Sequence, residues 1–169
     1  MKKYYEFTYE ENVTCLIELD NELYCERAIY KTGEQFITTN LSIKNEKYFL
    51  PEGSFKDCFE QLKEITQQHF TDIWNSIIEH NLVNWNKLKN ELKVGQIINV
   101  EIICFYPQGV MLDIGYPFFA ISNYNEFEKH LGNENMYPGI KTTVSIEDFD
   151  NKNLWIKVKP TKLSFLKKY

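Results

Sequence analysis

Arginine is nearly missing from this chain of 169 residues: Arg27 stands alone among 19 basic residues. Two-pronged guanidinium recognition of phosphate or guanine is therefore closed to everything after it. Alanine occurs twice, histidine three times and cysteine four times. Cys15, Cys25, Cys58 and Cys104 are widely spaced, with no Cys-x-x-Cys pair and no histidine at a matching distance, so no metal site is expected. His69 and His80 lie eleven residues apart, a spacing that suits no chelate, and His130 reads as an exposed residue on a short helix. Nucleophile motifs, phosphate loops and the H-x-x-x-H pattern are all absent. Asp148-x-Asp150-x-Lys152 begins like a calcium loop, but Asn153 and Lys159 stand where that loop needs Gly and Glu, so it reads as a hairpin turn. Glu10-Glu11 reads as an acidic turn. These absences predict a protein without catalytic residues, cofactor or metal, that is, not an enzyme.

No apolar run approaches the roughly 18–20 residues a membrane span needs, and the start, Met1-Lys2-Lys3-Tyr4-Tyr5-Glu6, is not that of a secretory signal. Cys15 and Cys25 could face each other across a hairpin; without export the default is reduced, buried thiols. The sequence reads as cytoplasmic. What is present is a core: 43% of residues are hydrophobic and 15% aromatic, which excludes a disordered chain. Sixteen Asn and 17 Ile look like the codon bias of an AT-rich bacterial or phage genome, so single Lys, Asn or Ile residues carry little signal. The net charge of −5 argues against a surface that coats nucleic acid throughout.

Charge divides the chain in two. Residues 1–92 hold 10 basic and 16 acidic residues; residues 93–169 hold 9 and 8. With a change of periodicity, this places a boundary near Glu91–Val94. The first part predicts an α+β lobe, an antiparallel meander plus a long helix. Val13–Leu19, Leu23–Tyr30 and Gln35–Thr39 read as strands separated by turns, with Tyr4–Thr8 as a further strand. Ser54 and Asp57 resemble a capping box, and Phe55, Cys58, Phe59, Leu62, Ile65, His69, Ile73 and Ile77 follow at helical spacing. The expected helix runs from about Ser54 to about His80, with Gln67-Gln68 as the place for a break, and a short second one follows at Trp85–Leu92. Its apolar stripe is expected to pack on the meander.

The second part alternates in short strands with Gly at the bends, as a small closed barrel demands. Val94-Gly95-Gln96-Ile97-Ile98 opens it. Gln108-Gly109-Val110-Met111-Leu112-Asp113-Ile114-Gly115, Phe118-Phe119-Ala120-Ile121-Ser122, Tyr137–Val144 and Leu154–Lys159 follow, with a small helix at Asn125–Leu131. Residues 93–159 resemble an S1 domain, a five-stranded OB-fold barrel. The resemblance implies an all-β barrel over 93–169 and single-stranded RNA binding on its second and third strands. The two family aromatics fall on Gln108 and Met111, the family histidine on Ala120, and a frequent lysine on Glu101. These departures imply weak binding without sequence specificity. The expected contact residues are Phe105, Tyr106, Gln108, Met111 and Phe119, aided by Lys157 and Lys159 and by Lys162, Lys167 and Lys168 of the basic end.

A second reading is a protein–protein module, such as a bacterial immunity or inhibitor protein whose acidic lobe neutralises a basic partner. The charge on the barrel separates the two readings. A continuous positive stripe with exposed aromatics favours RNA; a neutral or acidic face favours a protein.

Overall fold

The computed structural model describes residues 2–41 and 48–161. The chain divides into two compact units, Met1–Leu82 and Val83–Tyr169. That division lies within a helix, ahead of the Glu91–Val94 boundary expected from charge, because Trp85 already packs on side chains of the second unit. Among the described residues no helix is long and apolar enough to cross a membrane, and no group of three or more His, Cys, Asp or Glu side chains could hold a metal ion.

In the first unit β1 (Lys3–Glu10), β2 (Val13–Leu19), β3 (Cys25–Thr32) and β4 (Gln35–Thr38) form the antiparallel meander. A two-residue strand, β5 (Lys63–Glu64), joins the outer side of β1, giving the order β4-β3-β2-β1-β5. Register decides the faces. Tyr4 opposes Glu18, Glu18 opposes Arg27 and Leu16 opposes Ile29, so these project to one side. Tyr5, Cys15, Ile17 and Tyr30 project to the other. Both sides are covered, which is why six of the seven residues of β2 are buried. On the first side α1 (Gln67–Glu91) lays Phe70 and Trp74 on Tyr4, Leu16 and Ile29, as its apolar stripe predicts. On the second, Phe59 meets Tyr5 at 5.2 Å and Phe55 meets Phe7 at 5.6 Å.

The helix expected over Ser54–His80 is a correction. Phe55–Gln61 is a 3-10 helix, and a single helix then runs from Gln67 to Glu91, absorbing the separate one expected at Trp85–Leu92. Between them Lys63 and Glu64 pair with Glu6 and Tyr5 at the sheet edge. Phe55 and Phe59 thus serve one side of the sheet and Phe70 and Trp74 the other. One helical period ran through two different packing faces, which spacing alone cannot reveal.

Cys15 opposes Tyr30 and Cys25 opposes Leu19, so the two thiols are not cross-strand partners, and none of the four cysteines is in a disulfide. Burial pushes the Cys15 thiol up to about 12 and the Cys25 thiol well above its ordinary value. Since the thiolate is the nucleophile, iodoacetamide should label only Cys58 and Cys104 in the native protein. Mass spectrometry that found Cys15 or Cys25 alkylated before denaturation would contradict this packing.

The second unit is a closed five-stranded barrel, consistent with an OB-like fold. Its strands are β6 (Ile97–Tyr106), β7 (Gly109–Asp113), β8 (Ala120–Ser122), β9 (Lys141–Asp150) and β10 (Trp155–Pro160), in the order β10-β8-β7-β6-β9. β8 and β10 run parallel and the other pairs antiparallel. Between β8 and β9, α2 (Tyr124–Leu131) is capped by Asn123, whose side chain accepts from the Glu126 amide at 3.2 Å, and it buries Phe127 and Leu131. Gly109 is required where β7 begins: its φ is +148°, and a Cβ there would lie 2.3 Å from the Ser122 carbonyl oxygen on β8. Gly109→Ala should cost about 3 kcal/mol, the upper end for overpacking. Loss of hydrogen-exchange protection at the β7–β8 amides would measure it, and an unchanged pattern would refute it.

Candidate nucleic-acid interface

The side of the barrel expected to meet RNA is built by β7 and β8. Four of the five β7 residues are buried, so this strand is covered on both its faces. Met111 and Ala120 are fully buried, and Phe119 and Tyr106 are 5% and 7% exposed. Stacking on a base needs an open ring face. Tyr106, Met111 and Phe119 are therefore core residues, a correction to their expected role. Gln108 is exposed in the two-residue turn between β6 and β7. Phe105 is 37% exposed at the end of β6, its ring edge-on to the exposed Tyr124 at 5.9 Å.

Lys157 and Lys159 are exposed on β10, but neither offers an isolated charge. Lys157 Nζ lies 3.9 Å from the Asp148 carboxylate and Lys159 Nζ 3.2 Å from Glu147. Lys141 pairs in the same cross-strand manner with Glu101 at 3.5 Å. Exposed pairs of this kind contribute at most about 1 kcal/mol to stability, yet each cancels the local field. Lys162, Lys167 and Lys168 lie outside the described residues. Over residues 93–161 there are six lysines against eight carboxylates, so the described barrel carries no net positive charge.

Beside β8 the structure assembles a cluster that motif reading missed. Trp85 is fully buried, with its ring edge-on to Phe118 at 5.1 Å and to Phe149 at 5.9 Å. Its indole Nε1 donates to Asn151 Oδ1 at 2.8 Å, and Lys89 Nζ donates to the same oxygen at 2.9 Å. Asn151 is presented by the β9–β10 turn, which the Asp150 carboxylate organises by accepting from the Lys152 and Asn153 amides at 2.9 and 3.2 Å. Asp148-x-Asp150-x-Lys152 is thus a hairpin turn, as read from sequence. The spacing of Trp85, Leu88 and Leu92 signalled an apolar helix face; nothing local signalled its partners.

The first unit holds a buried charge cluster. The Glu18 side chain is fully buried and accepts from Arg27 through Nε at 2.9 Å and through Nη2, and also from Lys2. The Arg27 guanidinium lies 4.8 Å from the Trp74 ring centre and 5.1 Å from that of Phe70. Burial pushes the Glu18 carboxyl up, but donation and charge from Lys2 and Arg27 outweigh it and hold it below the usual carboxylate value. Paired and roofed by aromatic rings, the cluster is structural. The chain's one arginine could have signalled it: a planar cation that gives two N–H groups to one carboxylate oxygen while lying against two rings does what lysine cannot. The unit as a whole is acidic, with 14 acidic and 6 basic residues among those described, Glu10, Glu11, Glu22 and Glu34 exposed at turns between strands.

No family model matches this chain, and no curated protein matches it. Among solved structures, the solution structure of GSP13 from Bacillus subtilis is similar over 46% of this chain, at 15% sequence identity and a TM-score of 0.37. The match spans 65% of that chain, less than two thirds of its length. A likeness this loose carries no functional argument.

Proposed function

We propose that this protein is a non-enzymatic binding protein whose acidic first unit recognises a basic protein partner. The observation that supports this reading is electrostatic. The described first unit has an excess of eight carboxylates, while three of the barrel residues expected to contact RNA, Tyr106, Met111 and Phe119, are buried and Lys141, Lys157 and Lys159 are paired with carboxylates. Complementary charge steers such partners together and sets their association rate. A bacterial immunity or inhibitor protein neutralising a basic nuclease is one form of this role, and four cysteines without a disulfide suit a reducing cytoplasm. The test is affinity capture from the source cell at low salt, followed by rate measurements on the captured partner. A basic protein should bind, and reversing Glu10, Glu11 and Glu34 to lysine should slow association about tenfold or more. Capture of no protein, or an association rate indifferent to the reversal, would overturn the proposal.

A second reading has its own support in the OB-like barrel and in the exposed pair Phe105–Tyr124 beside the Gln108 turn. In it the barrel binds single-stranded RNA weakly and without sequence specificity, by stacking rather than by charge. Titration with oligo-RNA at low salt decides it. Absence of binding tighter than millimolar ends this reading.

A further inference from the structure

We infer that the second unit contains a slot for a flat heteroaromatic ring of single-stranded RNA, and that Trp85 fills this slot in cis and holds it shut. The inference deepens the second reading above and rests on it.

The slot is defined by what surrounds the indole. Phe118, just ahead of β8, and Phe149, on β9, stand edge-on to it as walls at 5.1 and 5.9 Å. At the rim Asn151 Oδ1 accepts the ring N–H at 2.8 Å. A flat ring in this place is held by edge-to-face contact with two aromatic rings and by one side-chain amide at its edge, and an unstacked base offers the same flat ring and N–H donors at its edge. The β9–β10 turn that carries Asn151 is one of the two loops OB barrels use for oligonucleotides. Lys89 Nζ reaches the same oxygen at 2.9 Å and lies 5.9 Å from the Trp85 ring centre. That places a cation at the rim, within reach of the phosphate that would accompany an incoming base.

Trp85 is held there as an anchor of its own helix turn. Asn84, Asn86 and Lys87 around it are exposed, while Trp85 is fully buried. A strand that displaced the indole would gain the walls, the Asn151 oxygen and the Lys89 charge together. While the slot is closed, apparent affinity for RNA is reduced by the fraction of molecules that are open.

The test is fluorescence anisotropy of labelled oligo(U) and oligo(A) at low salt with the full chain. Wild type is compared with Trp85→Ala, which empties the slot, and with Trp85→Phe, which keeps a buried ring but removes the ring's hydrogen bond to Asn151. Circular dichroism confirms that each variant is folded. Trp85→Ala should bind at least about tenfold more tightly than wild type and Trp85→Phe about fivefold, the scale set by losing one closing hydrogen bond. If Trp85→Ala does not fold, Trp85→Phe decides alone. Folded variants that bind no better than wild type would overturn the closed slot while leaving the RNA reading intact. Failure of all three proteins to bind would overturn both.

Discussion

Arg27→Ala should destabilise the first unit by about 3–5 kcal/mol, the range for breaking one side of a buried ion pair. The Glu18 carboxylate would remain fully buried with Lys2 as its one cation and Tyr4 beside it, and Phe70 and Trp74 would lose the guanidinium lying against them. Arg27→Lys should recover only part of this, because an ammonium can neither donate in a fork nor stack flat. Replacing the pair with apolar side chains, Glu18→Leu with Arg27→Met, should recover most of it, since no uncompensated charge is then buried. The effect depends on pH in a definite direction. Glu18 titrates lower in the folded protein than its ordinary carboxylate value. Its contribution is therefore complete above about pH 4.3, the unfolded value, and is lost as pH falls through the lower folded value. The gap between wild type and Arg27→Ala should accordingly narrow in acid. Hydrogen exchange at the β2 and β3 amides reads these differences within the first unit. A loss below about 1 kcal/mol at neutral pH would show that the pair is dispensable.

Trp85→Ala should cost the second unit about 3–5 kcal/mol, as large aromatic truncations in a core do. The cavity would open between Phe118 and Phe149, and Asn151 Oδ1 would keep only Lys89 of its two donors. Trp85→Phe should cost less than half as much, because the ring stays buried and only one hydrogen bond of about 1 kcal/mol goes. Protection of the β8 and β10 amides should fall in Trp85→Ala while the β2 and β3 amides stay as they were. A uniform loss across both units, or none in the barrel, would contradict the contacts assigned to Trp85.

Most of the strands were legible in the sequence because their signals are local. Val13–Leu19 is β-branched and apolar and ends at an Asp-Asn turn, and it is β2 residue for residue. The barrel strands followed from the resemblance to an S1 domain, with which the short alternating runs between glycines agree, and Gly109 at the start of β7 has a physical need to be glycine. The chain from Ser54 to Ile65 was misread for the same reason. Its helical spacing is real, but Lys63 and Glu64 are drawn out of any helix by pairing with β1, a strand nearly 60 residues earlier.

The candidate site was less legible, because exposure is not a local property. Phe105 and Tyr106 are neighbours of similar chemistry, yet one ring is partly open to solvent and the other is buried. Met111 and Phe119 face solvent or core according to what packs over the barrel, and no spacing within β7 or β8 encodes that. By itself, the sequence determined an aromatic-rich chain in two parts, an acidic meander with a helix and a five-stranded barrel, with a single arginine. Tertiary structure alone decided that this arginine neutralises a buried Glu18, that Lys157 and Lys159 are paired across strands, and that Trp85 meets Asn151 across 66 residues. Alternation and turn chemistry act over a few residues, whereas burial and pairing are set by groups that only the folded chain brings together.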